Sequence, residues 1–213
     1  MSSREQRIAV GFCAGAIFLL AGALHRGYGR RLWHPYYRQV TEPRTVQTVL
    51  AETGPRHRPE LRRAAASRGI AYPPPALTLV GYKRENVLEI WAHAPAGWIV
   101  YRSYPVLAAS GGPGPKLREG VDYPNAFDLA RGKEDGRSAL GGDIYIHGKA
   151  VSIGCLAIGD DNIEELFTLV ADTGLPHARI VLAPGRSLDL PRGAPPWTRD
   201  LYHTITRELA VLR

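Results

Sequence analysis

Three runs rich in β-branched and aromatic residues follow one another with almost nothing between them. They are ALTLVGYK (76–83), NVLEIWAH (86–93) and GWIVYRSYPVLAAS (97–110). The separators, around REN and APAG, are turn-prone, and this spacing reads as an antiparallel meander. YPPPA at 72–76 breaks the chain just ahead of the first run and marks a domain boundary there. DIYIHG (143–148) and ARIVLAPG (178–185) read as two further strands. The fold class expected is α+β, mainly antiparallel β with peripheral helices.

The helices are read from caps and stripes. Pro43 opens a short helix with Val46, Val49 and Leu50 on one face and Gly54 as its stop; Pro59 opens a second, with Leu61, Ala64 and Ala65 inward, ending at Gly69. DDNIEELFTLV (160–170) carries a capping box, Asp161 with Glu164, and an apolar stripe of Ile163, Leu166, Phe167 and Val170. Its acidic residues Asp160, Asp161, Glu164 and Glu165 read as complements to the helix dipole and as a solvated face. TRDLYHTITRELAVLR (198–213) reads as a last helix, capped by Thr198, with Leu201, Ile205, Leu209 and Leu212 aligned.

Charge is unevenly placed. Residues 1–75 hold 12 Arg against 4 acidic residues, whereas residues 76–213 hold 15 basic against 16 acidic. The folded body therefore lacks the basic excess that nucleic-acid binding requires, and no nucleic-acid partner is expected. The basic region adjoins IAVGFCAGAIFLLAGAL (8–24), a run of 17 residues without a charge, preceded by Arg4 and Arg7. This is read as an uncleaved membrane anchor, with a cleaved signal peptide as the alternative; either exports the body. RGYGRRLWHPYYRQV (26–40) interleaves Trp33, Tyr36 and Tyr37 with arginines, as an interfacial collar or a plain linker does. An anionic membrane surface or an acidic wall polymer suits such a segment.

Cys13 sits inside the apolar run, which leaves Cys155 alone in the body, so no internal disulfide forms there. His147 stands eight residues before Cys155, closes an apolar strand and precedes Gly148. A histidine within reach of a thiol accepts its proton and leaves the nucleophilic thiolate. If GKAVSIG (148–154) reverses tightly, the two side chains meet at one sheet end. Gly154 before the cysteine permits a turn that exposes the thiol and faces backbone N–H groups toward a developing oxyanion. The residues alone leave open a second reading: a small buried cysteine and a histidine satisfied by backbone. The remaining histidines are scattered without ligand spacing, and no metal site is expected.

The segment YIHGKAVSIGCLAIGDDNIEELF (145–167), with His-Gly, a short stretch and Ser-x-Gly-Cys, resembles the active-site segment of YkuD-type L,D-transpeptidases, in the murein transpeptidase branch. SGGPGPKLREG (110–120) resembles that branch's substrate-side loop, and the resemblance extends over roughly 77–185. It implies an L,D-transpeptidase-like catalytic domain over 76–185, preceded by a signal or anchor helix at 1–25 and a basic helical linker at 26–75. A C-terminal tail helix at 186–213 follows. By this resemblance Cys155 is the nucleophile and His147 the general base, while Gly148, Ser152 and Gly154 shape the loop and oxyanion site. The substrate is a peptidoglycan stem peptide, acylated as a thioester and passed to an amine, without metal or cofactor, on the periplasmic face of the cell envelope. A cysteine hydrolase on the same scaffold, cutting a wall peptide or releasing a wall-bound protein, is the alternative, as is a shortened inactive wall-binding form.

The sequence departs from the family pattern twice. Ile153 stands where the broader family often has a histidine before Gly-Cys. Only 26 residues separate Gly120 from His147, and no Pro-Glu-Gly-like turn lies among them. Within that interval Tyr123, with Lys116 and Arg118 in the preceding loop, are the residues expected to meet the polar, carboxylate-bearing substrate.

Overall fold

The computed structural model describes residues 45–108, 118–142, 144–149 and 155–213. The expected anchor and collar (1–40), Lys116, Ser152 and Gly154 lie outside the described residues. No described helix is long and apolar enough to cross a membrane. Residues from Val46 onward form one unit.

The chain is α+β, and both of its described sheets are mixed. Helix α1 (Val46–Ala66) comes first, followed by the meander β1 (Leu77–Tyr82), β2 (Val87–Ala94) and β3 (Gly97–Pro105). Then come β4 (Arg118–Gly120), α2 (Ala126–Glu134), β5 (Tyr145–His147), β6 (Leu156–Ala157) and α3 (Asp160–Thr173). A single 3-10 turn (Leu175–His177) leads into β7 (Ala178–Ala183), and α4 (Trp197–Ala210) ends the order. The first sheet runs β3-β2-β1-β7 and the second β4-β5-β6. The meander is antiparallel as its short turns require, but β7 joins β1 in parallel and β6 joins β5 in parallel. The expectation of a mainly antiparallel fold is thus refined. In the first sheet the parallel partner comes after a long connection, since β7 follows β1 only after the intervening strands and helices.

The pleat of β1 divides the core. Leu77 and Leu79 pack with Leu88, Ile90, Leu61 of α1 and Ile163, Leu166 and Leu169 of α3. Val80 and Tyr82, on the opposite face, pack with Ala183, Ile205, Leu209 and Leu212. Ile146 and Leu156 turn into the first of these clusters, so the small sheet shares the α3 core.

Two helices differ from the sequence reading. α1 is one helix rather than two short ones, running through Gly54, Pro55 and Pro59. Its buried residues Val49, Thr53, His57, Leu61, Ala64 and Ala65 recur every three to four positions and lie against α3. Burial of that stripe outweighs the two backbone bonds the prolines forgo. α2 occupies a stretch for which no helix was expected; Asn125 caps it, accepting the Phe127 and Asp128 N–H groups while Asp128 accepts the Asn125 N–H. Two expected caps also move. α3 starts at Asp160 with Gly159 as N-cap and no side-chain cap bond, and α4 starts from Pro196, leaving Thr198 buried within the first turn.

Candidate functional site

The second sheet positions the histidine and the cysteine. β5 and β6 run parallel with Ile146 opposite Leu156 and His147 opposite Ala157. Cys155 lies in the bend that leads into β6, and the Tyr145 N–H donates to Cys155 Sγ at 3.4 Å, so the thiol sits beside the main chain of β5, two residues before His147. The pleat turns Ile146 into the core and Tyr145 and His147 to the opposite face of β5.

His147 is 3% exposed, and its Nδ1 lies 2.6 Å from the Gly148 carbonyl. A carbonyl only accepts, so Nδ1 carries the proton and Nε2 presents its lone pair. The ring is fixed by its own backbone and keeps one nitrogen able to take a proton.

The loop after His147 is pinned by α3. Lys149 adopts φ +60°, its N–H donates to Asp160 Oδ1 at 2.9 Å, and its carbonyl accepts the Gly159 N–H at 3.2 Å. The His147 carbonyl accepts the Ile158 N–H at 2.9 Å. Gly148 is buried where a Cβ would stand 2.2 Å from Asp160 Oδ1 and 3.2 Å from Asp160 Cα. Glycine at 148 is therefore required by the close approach of the helix start.

Asp160 and Asp161 are both exposed in the first turn of α3, as expected of dipole complements; Asp160 in addition holds the loop, and Asp161 lies 3.3 Å from Arg56. Glu164 and Glu165 leave the solvated face expected of them. Glu165 accepts the Tyr104 hydroxyl at 2.7 Å and Arg102 Nε at 2.9 Å. Glu164 meets Arg56 and lies 3.5 Å from the buried His57. Burial first, then the Glu165 charge, push the Tyr104 phenol well above its ordinary range.

The remaining expected site residues fall in different places. The Arg118 backbone lies directly opposite His147 in the antiparallel β4–β5 pair. Tyr123 does not join the His147 face: its hydroxyl donates to the Leu140 carbonyl at 2.9 Å. It lines a cavity bounded by Ile144 and Ile146, on the opposite side of β5. Among the described residues no group of three or more His, Cys, Asp or Glu could hold a metal ion. Sequence reasoning assigned Asp160 no role beyond the helix dipole, although an Asp next to the Gly159 turn is the usual signal of a side chain reaching back to backbone.

No family model matches the chain. A search of curated proteins finds "Putative L,D-transpeptidase YafK" of Escherichia coli, strain K12, at 28% identity over 138 residues, 51% of this chain and 54% of the relative. The counterpart from Escherichia coli O157:H7 gives the same figures. The chain spans about half the length of the curated relatives it matches. Among solved structures, that of Bdellovibrio bacteriovorus Bd1075 aligns with a TM-score of 0.38 at 15% identity, covering 63% of this chain and 55% of the other. The sequence likeness supports the L,D-transpeptidase family at a coarse level.

Proposed function

We propose that the protein is a peptidoglycan L,D-transpeptidase that works through a thioester on Cys155, at the wall side of the cell envelope. The observation that carries this reading is the β5–β6 pairing. It brings Cys155, just ahead of β6, beside Tyr145 of the strand that ends in His147, while the Gly148 carbonyl leaves His147 Nε2 as the acceptor. In the first step Nε2 takes the thiol proton and Sγ attacks the carbonyl carbon of a stem-peptide amide. The C–N bond breaks, and the departing amine takes the proton from the imidazolium. In the second step an acceptor amine attacks the thioester, His147 removes its proton, and the thiolate leaves. Gly148 shapes the loop; Ser152 and Gly154 precede the nucleophile in the matching motif, with Lys116 and Arg118 meeting substrate carboxylates. The apolar run at 8–24 would hold the body at the membrane.

Incubation of the protein with purified muropeptides tests this reading. Mass spectrometry should find an acyl adduct on Cys155 that an added amine releases as a cross-linked product. The Cys155→Ser and His147→Ala variants should lose the adduct while keeping the wild-type circular dichroism. A folded wild-type protein that forms no adduct refutes the proposal, and an adduct released only to water assigns a hydrolase instead.

A further inference from the structure

On the side of β5 away from His147 lies a cavity of about 820 Å³, and one of its walls is the edge of a sheet. Five consecutive residues of β7, Ala178 to Leu182, line it. Consecutive residues can all line a cavity only when the strand is met edge-on, because the pleat sends alternate side chains to opposite faces. Among the described residues β7 is the outer strand of its sheet, paired with β1 alone.

The direction of its backbone groups follows from one hydrogen bond. The Ala183 carbonyl accepts the Lys83 N–H at 3.0 Å, so Ala183 faces β1. In a parallel pair each residue points its N–H and C=O to the same side, and the side alternates. Arg179 and Val181 therefore also face β1, while Ile180 and Leu182 face the cavity. Among the described residues their two N–H and two C=O groups meet no partner; the Ala178 N–H is taken by the Leu175 carbonyl. Across the space stand the segment from Gly120 to Tyr123 and the side chains of Ile144 and Ile146. Leu201 and Ile205 of α4 close one flank.

We propose that the β7 edge is a docking site for an extended peptide segment of a partner protein, added as a strand, with apolar side chains and one basic residue. Extended backbone is the chemistry that satisfies alternating donors and acceptors in a row. An acyl chain in the same space would leave all four groups unsatisfied. A second copy would have to bring its own flanking segments, Gly120–Tyr123 and α4, against these, whereas a single extended segment carries no such walls. Charge selects the basic residue. Arg179 on the rim is already paired with Glu208 at 3.1 Å, which leaves Asp122 and Asp128 as the excess charge. The site is independent of the reading at Cys155, since His147 occupies the other face of β5.

The test uses the purified full chain and a dye-labelled hexapeptide of one lysine followed by alternating valine and threonine, read by fluorescence anisotropy. Saturable binding is expected. It should weaken about tenfold when a single peptide amide that faces β7 is N-methylated, the loss of one well-made hydrogen bond. The exposed Asp122→Lys variant should weaken binding of the lysine-headed peptide and favour a glutamate-headed one. Absence of saturable binding, or binding indifferent to both N-methylation and Asp122→Lys, overturns the proposal. Self-association of the chain that the peptide cannot displace overturns it in favour of a second copy.

Discussion

The Asp160 carboxylate accepts the Lys149 N–H at 2.9 Å, so the first residue of α3 holds the loop that carries the Gly148 carbonyl onto His147 Nδ1. These linked hydrogen bonds join a helix start to the orientation of an imidazole ring. Asp160→Ala should slow acylation of Cys155 about ten- to a hundredfold, the usual effect of a small misplacement near a reacting group. Asp160→Asn keeps an accepting oxygen and should restore the rate. The check is the rate of Cys155 modification by iodoacetamide across pH. A purely structural role would lower melting temperature in the Ala variant and leave that profile unmoved.

Gly148→Ala places a methyl group 2.2 Å from Asp160 Oδ1 and 3.2 Å from Asp160 Cα, so the carboxylate must leave the Lys149 N–H and the main chain must give by a few tenths of an ångström. The start of α3 must shift, so a destabilisation of about 1–3 kcal/mol is expected. Urea denaturation measures it. The double variant Gly148→Ala with Asp160→Gly should recover part of the loss, because it removes the carboxylate oxygen 2.2 Å from the added methyl group and leaves only the milder 3.2 Å contact with the main chain at position 160.

Acid stability should trace to Asp172. Burial alone would raise its carboxyl, but hydrogen bonds from Arg58 and Tyr72 outweigh it and hold it below the usual carboxylate range. Arg58 meets it through two bonds of 2.8 Å and Tyr72 through one of 2.7 Å. A carboxyl depressed in the folded state stabilises above its unfolded value, and the contribution disappears as pH falls through the folded one. The gap in unfolding free energy between the wild type and Asp172→Asn should therefore be full near neutrality. It should close at pH values below the ordinary aspartate range. Arg58→Ala, at a partly exposed pair, should cost about 1–2 kcal/mol near neutral pH.

Removing Glu165 should be more damaging than its sequence position implies. Arg102 is 17% exposed and loses its 2.9 Å partner, and the Tyr104 hydroxyl loses its acceptor. Glu165→Ala should destabilise by about 1–3 kcal/mol, since the inward Arg102 guanidinium keeps only its longer 3.7 Å contact with Glu60. Glu165→Gln should recover part of this by keeping the Tyr104 bond. Denaturant midpoints of the two variants check the order.

What could be read in advance followed the range of each signal. The meander was legible because β1, β2 and β3 are consecutive and their turns are short. The parallel partners were not, since nothing in Ala178–Ala183 or Leu156–Ala157 records which strand lies beside it. Gly54, Pro55 and Pro59 are strong local breakers, yet the stripe from Val49 to Ala65 keeps α1 whole, a tertiary effect over a local one. α2 was missed although its cap, Asn125 with Asp128, stands in the sequence; the polar character of 122–143 hid it. The spacing of His147 and Cys155 pointed to a shared site, but the role of Asp160 depends on a turn at Gly159 that brings the helix start back to Lys149.

The β4-β5-β6 sheet is built from strands of three, three and two residues, against six to nine in the larger sheet. Few ladder bonds therefore separate its closed form from a locally opened one. The amides of Tyr145 and Lys149, one bonded to Cys155 and the other to Asp160, belong to that weaker half. Hydrogen exchange there will follow a sub-global opening, so the region bearing His147 and Cys155 can open and close while the β3-β2-β1-β7 sheet stays intact.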